Sequence, residues 1–357
     1  RLHSLIYERI KFIMAYTTIN KSTDYFNTKL FTGNGGTNAI TGVGFQPDLI
    51  WLKNRDNTDD HSFYDAVRGV TKRLRPNGTN AETTQSNGVT AFGADGFTVG
   101  DHGGLNGNGQ GIASWNWKAN GAGSANTAGS ISSTVSANTT SGFSTVTFTG
   151  TGAGATVGHG LGTIPKMILI KSLSGATSNW IVYHNSIGNG KALSLNTTAG
   201  ESADAGYFNS TTPTSTVFSL GVDGFSNGSG QPMIAYCFAD VQGYSKFGSY
   251  TGNGSLDGTF VYTGFKPAFV ILKHYTGAGN DWVMKDSKRP GYNQVNDVLY
   301  PNLSNAEGHG ADMDMVSNGF KFRTTGAGSN DDGTLYLYMA FAEAPLVGTN
   351  NVPANAR

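Results

Sequence analysis

A ten-residue stretch that occurs three times constrains this chain more than any other feature. Its clearest copy is Gly264-Phe265-Lys266-Pro267-Ala268-Phe269-Val270-Ile271-Leu272-Lys273: a glycine, a proline, five consecutive residues without charge, and a closing lysine. The same pattern runs through Gly44-Phe45-Gln46-Pro47-Asp48-Leu49-Ile50-Trp51-Leu52-Lys53 and through Gly162-Thr163-Ile164-Pro165-Lys166-Met167-Ile168-Leu169-Ile170-Lys171. An apolar run of about five residues between a proline and a charge is too short for a stable helix and reads as a buried strand. The proline precedes each strand, where its missing N–H breaks no ladder, and the lysine is expected to carry its charge out to solvent.

Other features keep register with this stretch. Ahead of it lie Phe31-Thr32-Gly33, Phe148-Thr149-Gly150 and Tyr250-Thr251-Gly252, each a strand end running into a glycine turn. After it come Phe63-Tyr64-Asp65, Val182-Tyr183-His184 and Met284-Lys285-Asp286, the last two behind Trp180 and Trp282. Leu74, Leu193 and Leu299 each precede an in-register asparagine (Asn77, Asn196, Asn302) and glutamate (Glu82, Glu201, Glu307). Turn dipeptides follow at Asp95-Gly96, Asp223-Gly224 and Asn318-Gly319, and each copy closes on an aromatic strand around Trp115, Tyr236 and Tyr338.

Pro47, Pro165 and Pro267 stand 118 and 102 residues apart. A period near 100 residues matches a domain rather than a solenoid unit. The expected fold is therefore all-β: three tandem antiparallel β-sandwich modules, jelly-roll or lectin-like, over residues 25–120, 142–240 and 247–344. Residues 1–24 read as a leader or arm, in which Met14 looks like a natural start. Residues 121–141, rich in Gly, Ala, Ser, Thr and Asn, read as a flexible linker or exposed loop, and residues 345–357 as an extended tail. Helix signals are weak, and a single turn after each second aromatic strand is the most the pattern supports.

Lys plus Arg and Asp plus Glu balance at 24 each, which leaves no electrostatic case for nucleic acid or an anionic membrane surface. The one cysteine, Cys237, rules out an internal disulfide and reads as a buried residue. No stretch is apolar enough for a membrane-spanning helix, and no secretory signal is evident in residues 1–13.

No catalytic, cofactor or metal residue is expected. Asp56, Asp59 and Asp60, and Asp331-Asp332, could gather around calcium but lack the spacing of an EF-hand. The seven histidines show no metal-ligand spacing. Glycosidases need two carboxylates flanking a bond, and Glu82, Glu201 and Glu307 invite that reading. Their repetition suits a structural hydrogen bond better. Trp180 and Trp282 sit in register and read as core, and Trp115 and Trp117 share one face, also read as core. The glycine-rich tip at residues 100–111 supplies the candidate ligand-binding residues His102, Asn106 and Asn108.

The segments Thr156-Val157-Gly158-His159-Gly160 onward to Lys171, Trp180-Ile181-Val182-Tyr183-His184, Phe247-Gly248-Ser249-Tyr250-Thr251-Gly252 and Met339-Ala340-Phe341-Ala342-Glu343 resemble a repeat family of tailed-bacteriophage virion proteins, notably of marine phages. The resemblance spans Met14 to Arg357. It implies a tail or tail-fibre structural protein, located in the virion after synthesis in the bacterial cytoplasm, without enzymatic activity or cofactor. Its expected partners are other virion proteins, further copies of itself as a homo-oligomer, and a host surface glycan or protein. The alternatives are a carbohydrate-binding adhesin or accessory module of bacterial origin and a polysaccharide depolymerase.

Overall fold

The computed structural model describes residues 16–349 other than Ala176 and Ala278, together with Pro353. The leader at residues 1–13, the start at Met14 and most of the expected tail lie outside the described residues.

The all-β expectation holds. One four-strand arrangement occurs three times, with the closing strand seated between the first strand and the proline-led strand. The orders are Phe26–Thr32, Gly111–Trp117, Leu49–Asn54, Ser62–Asp65; then Phe143–Thr149, Pro232–Ala239, Pro165–Ser172, Ile181–His184; then Ser245–Thr251, Leu335–Pro345, Phe265–His274, Val283–Asp286. Every pairing is antiparallel, and the register repeats: Leu49 faces Trp117, Met167 faces Phe238, and Phe269 faces Phe341. A smaller sheet covers each one, such as Phe260–Tyr262, Gly319–Phe322, Gly308–Val316 and Val295–Val298 in the third repeat.

Side chains on a strand alternate between its faces, so the run of apolar residues in each proline-led strand must be buried twice. Ile50 and Leu52, Ile168 and Ile170, and Val270 and Leu272 fill the core of their own repeat. Leu49 and Trp51, Met167 and Leu169, and Phe269 and Ile271 point the other way, into one cluster shared by all three repeats. At its centre the equivalent residues Trp117, Phe238 and Phe341 form a nearly equilateral triangle, with ring centroids 6.2, 6.0 and 5.7 Å apart. The void there is about 10 Å³ and wholly apolar, so a water would find no hydrogen-bond partner in it. The three sandwiches thus share one interior, and a pseudo-threefold axis runs through the aromatic triangle.

Two expectations are corrected. Residues 121–141 are not a free linker: Ser124–Asn126 and Ser133–Asn138 are strands at one edge of the middle sheet, which Lys191–Ser194 and Ser202–Ala203 at the other edge bring to eight. Val135 lies opposite Val146, and Ile131 bridges Val157, so a few well-spaced β-branched residues suffice to pin this polar segment. Lys53, Lys171 and Lys273 do not reach solvent; all three are fully buried. They share the face of Leu49, Met167 and Phe269, which the neighbouring repeats cover.

Among the described residues helix is confined to single turns, such as Asn185–Ile187 after the second aromatic strand of the middle repeat. The turns Gly103–Asn106 and Gly224–Asn227, just before two of the closing strands, are ones the sequence pattern does not announce.

Phe269 is fully buried and packs against Phe26, Trp117 and Phe341. Phe269→Ala should cost about 3–5 kcal/mol. Because the cavity opens in the shared core, calorimetry should show one cooperative transition moving down as a unit; separate transitions with only one displaced would contradict a common interior.

Candidate functional site

The polar residues that sequence reading singles out fall into two places, the seams between repeats and the outer loops. At the seams the same bond recurs cyclically. The Glu82 N–H donates to Leu173 O, Glu201 N–H to Tyr275 O, and Glu307 N–H to Arg55 O, which ties first to second, second to third, and third back to first. Trp180 Nε1 donates to Arg75 O and Trp282 Nε1 to Ser194 O. His61 occupies the equivalent position in the first repeat, beside the Tyr300 backbone, and its Nδ1 accepts from Trp51 Nε1. Beneath them Asn77, Asn196 and Asn302 accept the N–H of residues 61, 180 and 282.

The seam carboxylates are all engaged. Arg68 binds Asp65 at 2.5 Å and Glu82 at 3.0 Å. Arg289 binds Asp286 at 2.6 Å and Glu307 at 2.8 Å, and Arg55 also reaches Glu307 at 2.5 Å. Burial works against the Arg289 guanidinium, yet Asp286 and Glu307 hold its pKa above the ordinary value. The neighbouring repeat adds a donor to each aspartate: Tyr236 Oη to Asp65 and Trp115 Nε1 to Asp286.

The middle repeat replaces this set as a whole. His184 stands for the aspartate, Ile187 for the arginine, and Met339, which has no N–H or O–H to give, for the donor. His184 Nε2 bonds Tyr338 O, its Nδ1 accepts from Ser186 N–H, and burial lowers its pKa to about 4, so the ring is neutral. Glu201 there pairs with Lys191. Three Glu residues committed in this way do not form the facing pair a glycosidase needs.

Of the three buried lysines that close the proline-led strands, Lys171 and Lys273 donate across a seam and Lys53 donates within its own repeat. Lys171 Nζ donates to Thr79 O of the first repeat and to Ser178 O, Lys273 Nζ to Thr198 O of the second and to Asn280 O, and Lys53 Nζ to Asn54 O and Asn57 O. Burial lowers each pKa to about 8.

The three loop residues proposed from the glycine-rich tip part company. Asn106 is fully buried and so is corrected as a surface contact: it accepts Asn34 N–H and donates to Gly36 O and Gly100 O. Asn227 and Asn330 repeat this staple, bonding Thr151 N–H and Ala153 O, and Asn253 N–H and Ser255 O. The signal was in the sequence, since Asn106, Asn227 and Asn330 each precede a closing strand. His102 is half-buried, and burial lowers its pKa; Asn108 is exposed. Asp56, Asp59 and Asp60 spend their carboxylates on Gly111 N–H, Asn54 and Asn77 in turn, and no group of three acidic, His or Cys residues that could hold a metal occurs among the described residues. Cys237 is buried, which raises its thiol pKa. No helix among the described residues is long and apolar enough to cross a membrane.

The outer surface does offer a groove, in the third repeat. It encloses about 440 Å³ and is lined by Lys266, Ser287, Lys288, Tyr292, Met315 and Glu343 among others. None of these was a candidate from sequence.

Two outcomes follow from the seam chemistry. In the folded chain Lys53, Lys171 and Lys273 release protons near pH 8, whereas unfolded lysine holds them to about 10.4, so the unfolded state binds more protons in between and stability rises with pH. Melting temperature should climb from about pH 7.5 to pH 9.5, and Lys171→Met should flatten that climb. His184 has the same sign lower down, so stability should fall as pH drops below about 6.5. Arg289→Leu leaves Asp286 buried without its cation and should cost about 3–5 kcal/mol in denaturant titration.

None of the curated proteins compared matches the chain. Residues 21–345, all three repeats together, match the family described as a domain of unknown function, DUF7483. The chain belongs to the DUF7483 family.

Proposed function

We propose that the chain is a structural attachment module of a tailed-bacteriophage virion, carried on the tail or tail fibre, with a binding rather than a catalytic role. The observation that carries this reading is where the charges go. The in-register glutamates reach the next repeat through their N–H groups, Asp65 and Asp286 accept from it, Arg55 pairs with Glu307, and Lys171 and Lys273 donate across, while Arg68 and Arg289 neutralise the carboxylates inside their own repeats, which leaves a stiff body whose outer loops are free to differ. Loops held on a rigid scaffold are a common place for recognition. The resemblance to phage virion repeats supports the location, and the formal neutrality of the chain fits a surface part better than a nucleic-acid binder. Its partners would be other virion proteins, further copies of itself, and a glycan or protein of the host surface, with weak single contacts multiplied by copy number.

Purified, washed particles of a phage whose genome carries this sequence should contain the chain by mass spectrometry, and immunogold labelling should place it on the tail. Finding it only in the soluble lysate would remove the virion reading.

A further inference from the structure

The groove of the third repeat departs from the shared frame at one place. Nine positions separate Asp65 from Leu74 and His184 from Leu193, but thirteen separate Asp286 from Leu299. The added residues fall in the segment carrying Gly291, Tyr292, Asn293 and Gln294, which forms the rim of the groove. Tyr292 is 82 % exposed, more than any other large hydrophobic residue described. An aromatic ring held in water without a packing partner is unusual in a chain whose other rings are so heavily packed.

The rim is held in place. Asn293, next to Tyr292, uses both ends of its side-chain amide on the Met315 backbone, donating to its carbonyl and accepting from its N–H, each at 2.9 Å. Val295 and Met315, both nearly inaccessible, form an apolar floor. Lys266 and Glu343 pair at 3.1 Å along the wall and present a donor beside an acceptor. Ser287 lines the groove, but its hydroxyl is turned into the protein, where it has no hydrogen-bond partner among the described residues. Lys288 is exposed, so two cations border the groove against the one carboxylate.

We propose that this groove binds a short saccharide bearing a carboxylate, with one pyranose face laid on the Tyr292 ring, its carboxylate toward Lys288, and its hydroxyls toward the Lys266–Glu343 pair. The C–H edges of a pyranose face complement the negative face of the ring, and hydroxyls exchange hydrogen bonds with a mixed donor and acceptor wall. The loop is fixed beforehand, so little ordering cost opposes binding. This inference rests on the attachment reading for its purpose and on the groove alone for its chemistry.

The test is calorimetric titration of the whole chain with trigalacturonate and trimannuronate, with maltotriose as the neutral counterpart. At least one uronate should bind saturably below about 10 mM and more tightly than maltotriose. Tyr292→Ala should weaken it by roughly tenfold or more. Lys288→Gln should weaken it and reduce its salt dependence. Both residues are exposed, so the variants should keep the melting temperature of the parent, and Val222→Ala, at an exposed site of the middle repeat, should leave binding unchanged. No saturable binding of either uronate, binding indifferent to Tyr292→Ala, or equal binding of maltotriose would overturn the proposal. Particles that contain the chain while the purified chain ignores uronates would sink this inference and leave the attachment reading standing. Uronate binding by a chain absent from particles would do the reverse.

Discussion

The structure depends on burying the proline-led strand on both of its faces. A sandwich that covered only one face would leave Leu49 and Trp51, Met167 and Leu169, or Phe269 and Ile271 in water. At roughly 1.5–3 kcal/mol for each large apolar side chain buried, no single repeat of this composition could leave that face open without a large loss. Three repeats close on one another instead, and Trp117, Phe238 and Phe341 meet where the axis passes. The hydrogen bonds at the seams then fix the rotation of each repeat, since Glu82, Glu201 and Glu307 each donate to a carbonyl of the next repeat, and Arg55 adds an ion pair to Glu307.

The seam at the middle repeat shows that these contacts behave as sets. An aspartate in that position comes with an arginine three residues later and with a donor, Tyr236 or Trp115, across the seam. Where His184 takes the position, the arginine is Ile187 and the facing residue is Met339. A buried aspartate deprived of either partner would be an uncompensated charge, whereas a neutral imidazole needs only the carbonyl it meets. In all three versions the residue at the aspartate position finds its partners, which is why the repeats tolerate the difference.

Much of this was legible in the sequence. The period, the register of the strands, the placement of Trp115, Trp117, Trp180 and Trp282 in a core, and the structural role of the repeated glutamates all follow from spacing. The shared interior does not, because an uncharged five-residue run looks the same whether its second face meets a partner sheet or a neighbouring repeat. The lysines were misread for that reason: Lys53, Lys171 and Lys273 look like solvent stops until the face they lie on is known to be covered. Residues 121–141 were misread because their composition is that of a linker, and only Ile131 and Val135 hint otherwise. Asn106 looked like a loop contact, although its counterparts Asn227 and Asn330 marked it as part of the frame. The groove at Tyr292 could have been found by counting, as the one interval that breaks the repeat length there.

The closed ring of repeats also sets an order of events in synthesis. Arg55 meets Glu307 and Trp115 meets Asp286, contacts separated in the chain by 252 and 171 residues. The inner face of the first repeat, with Trp51, Phe63 and Trp117, is complete long before the strands of the third leave the ribosome. For that interval a broad aromatic surface has nothing of its own chain to cover it, and it is as available to a chaperone or to another nascent chain as to its proper partner. Reaching the native ring therefore depends on how quickly the last hundred residues arrive as well as on how well they fit.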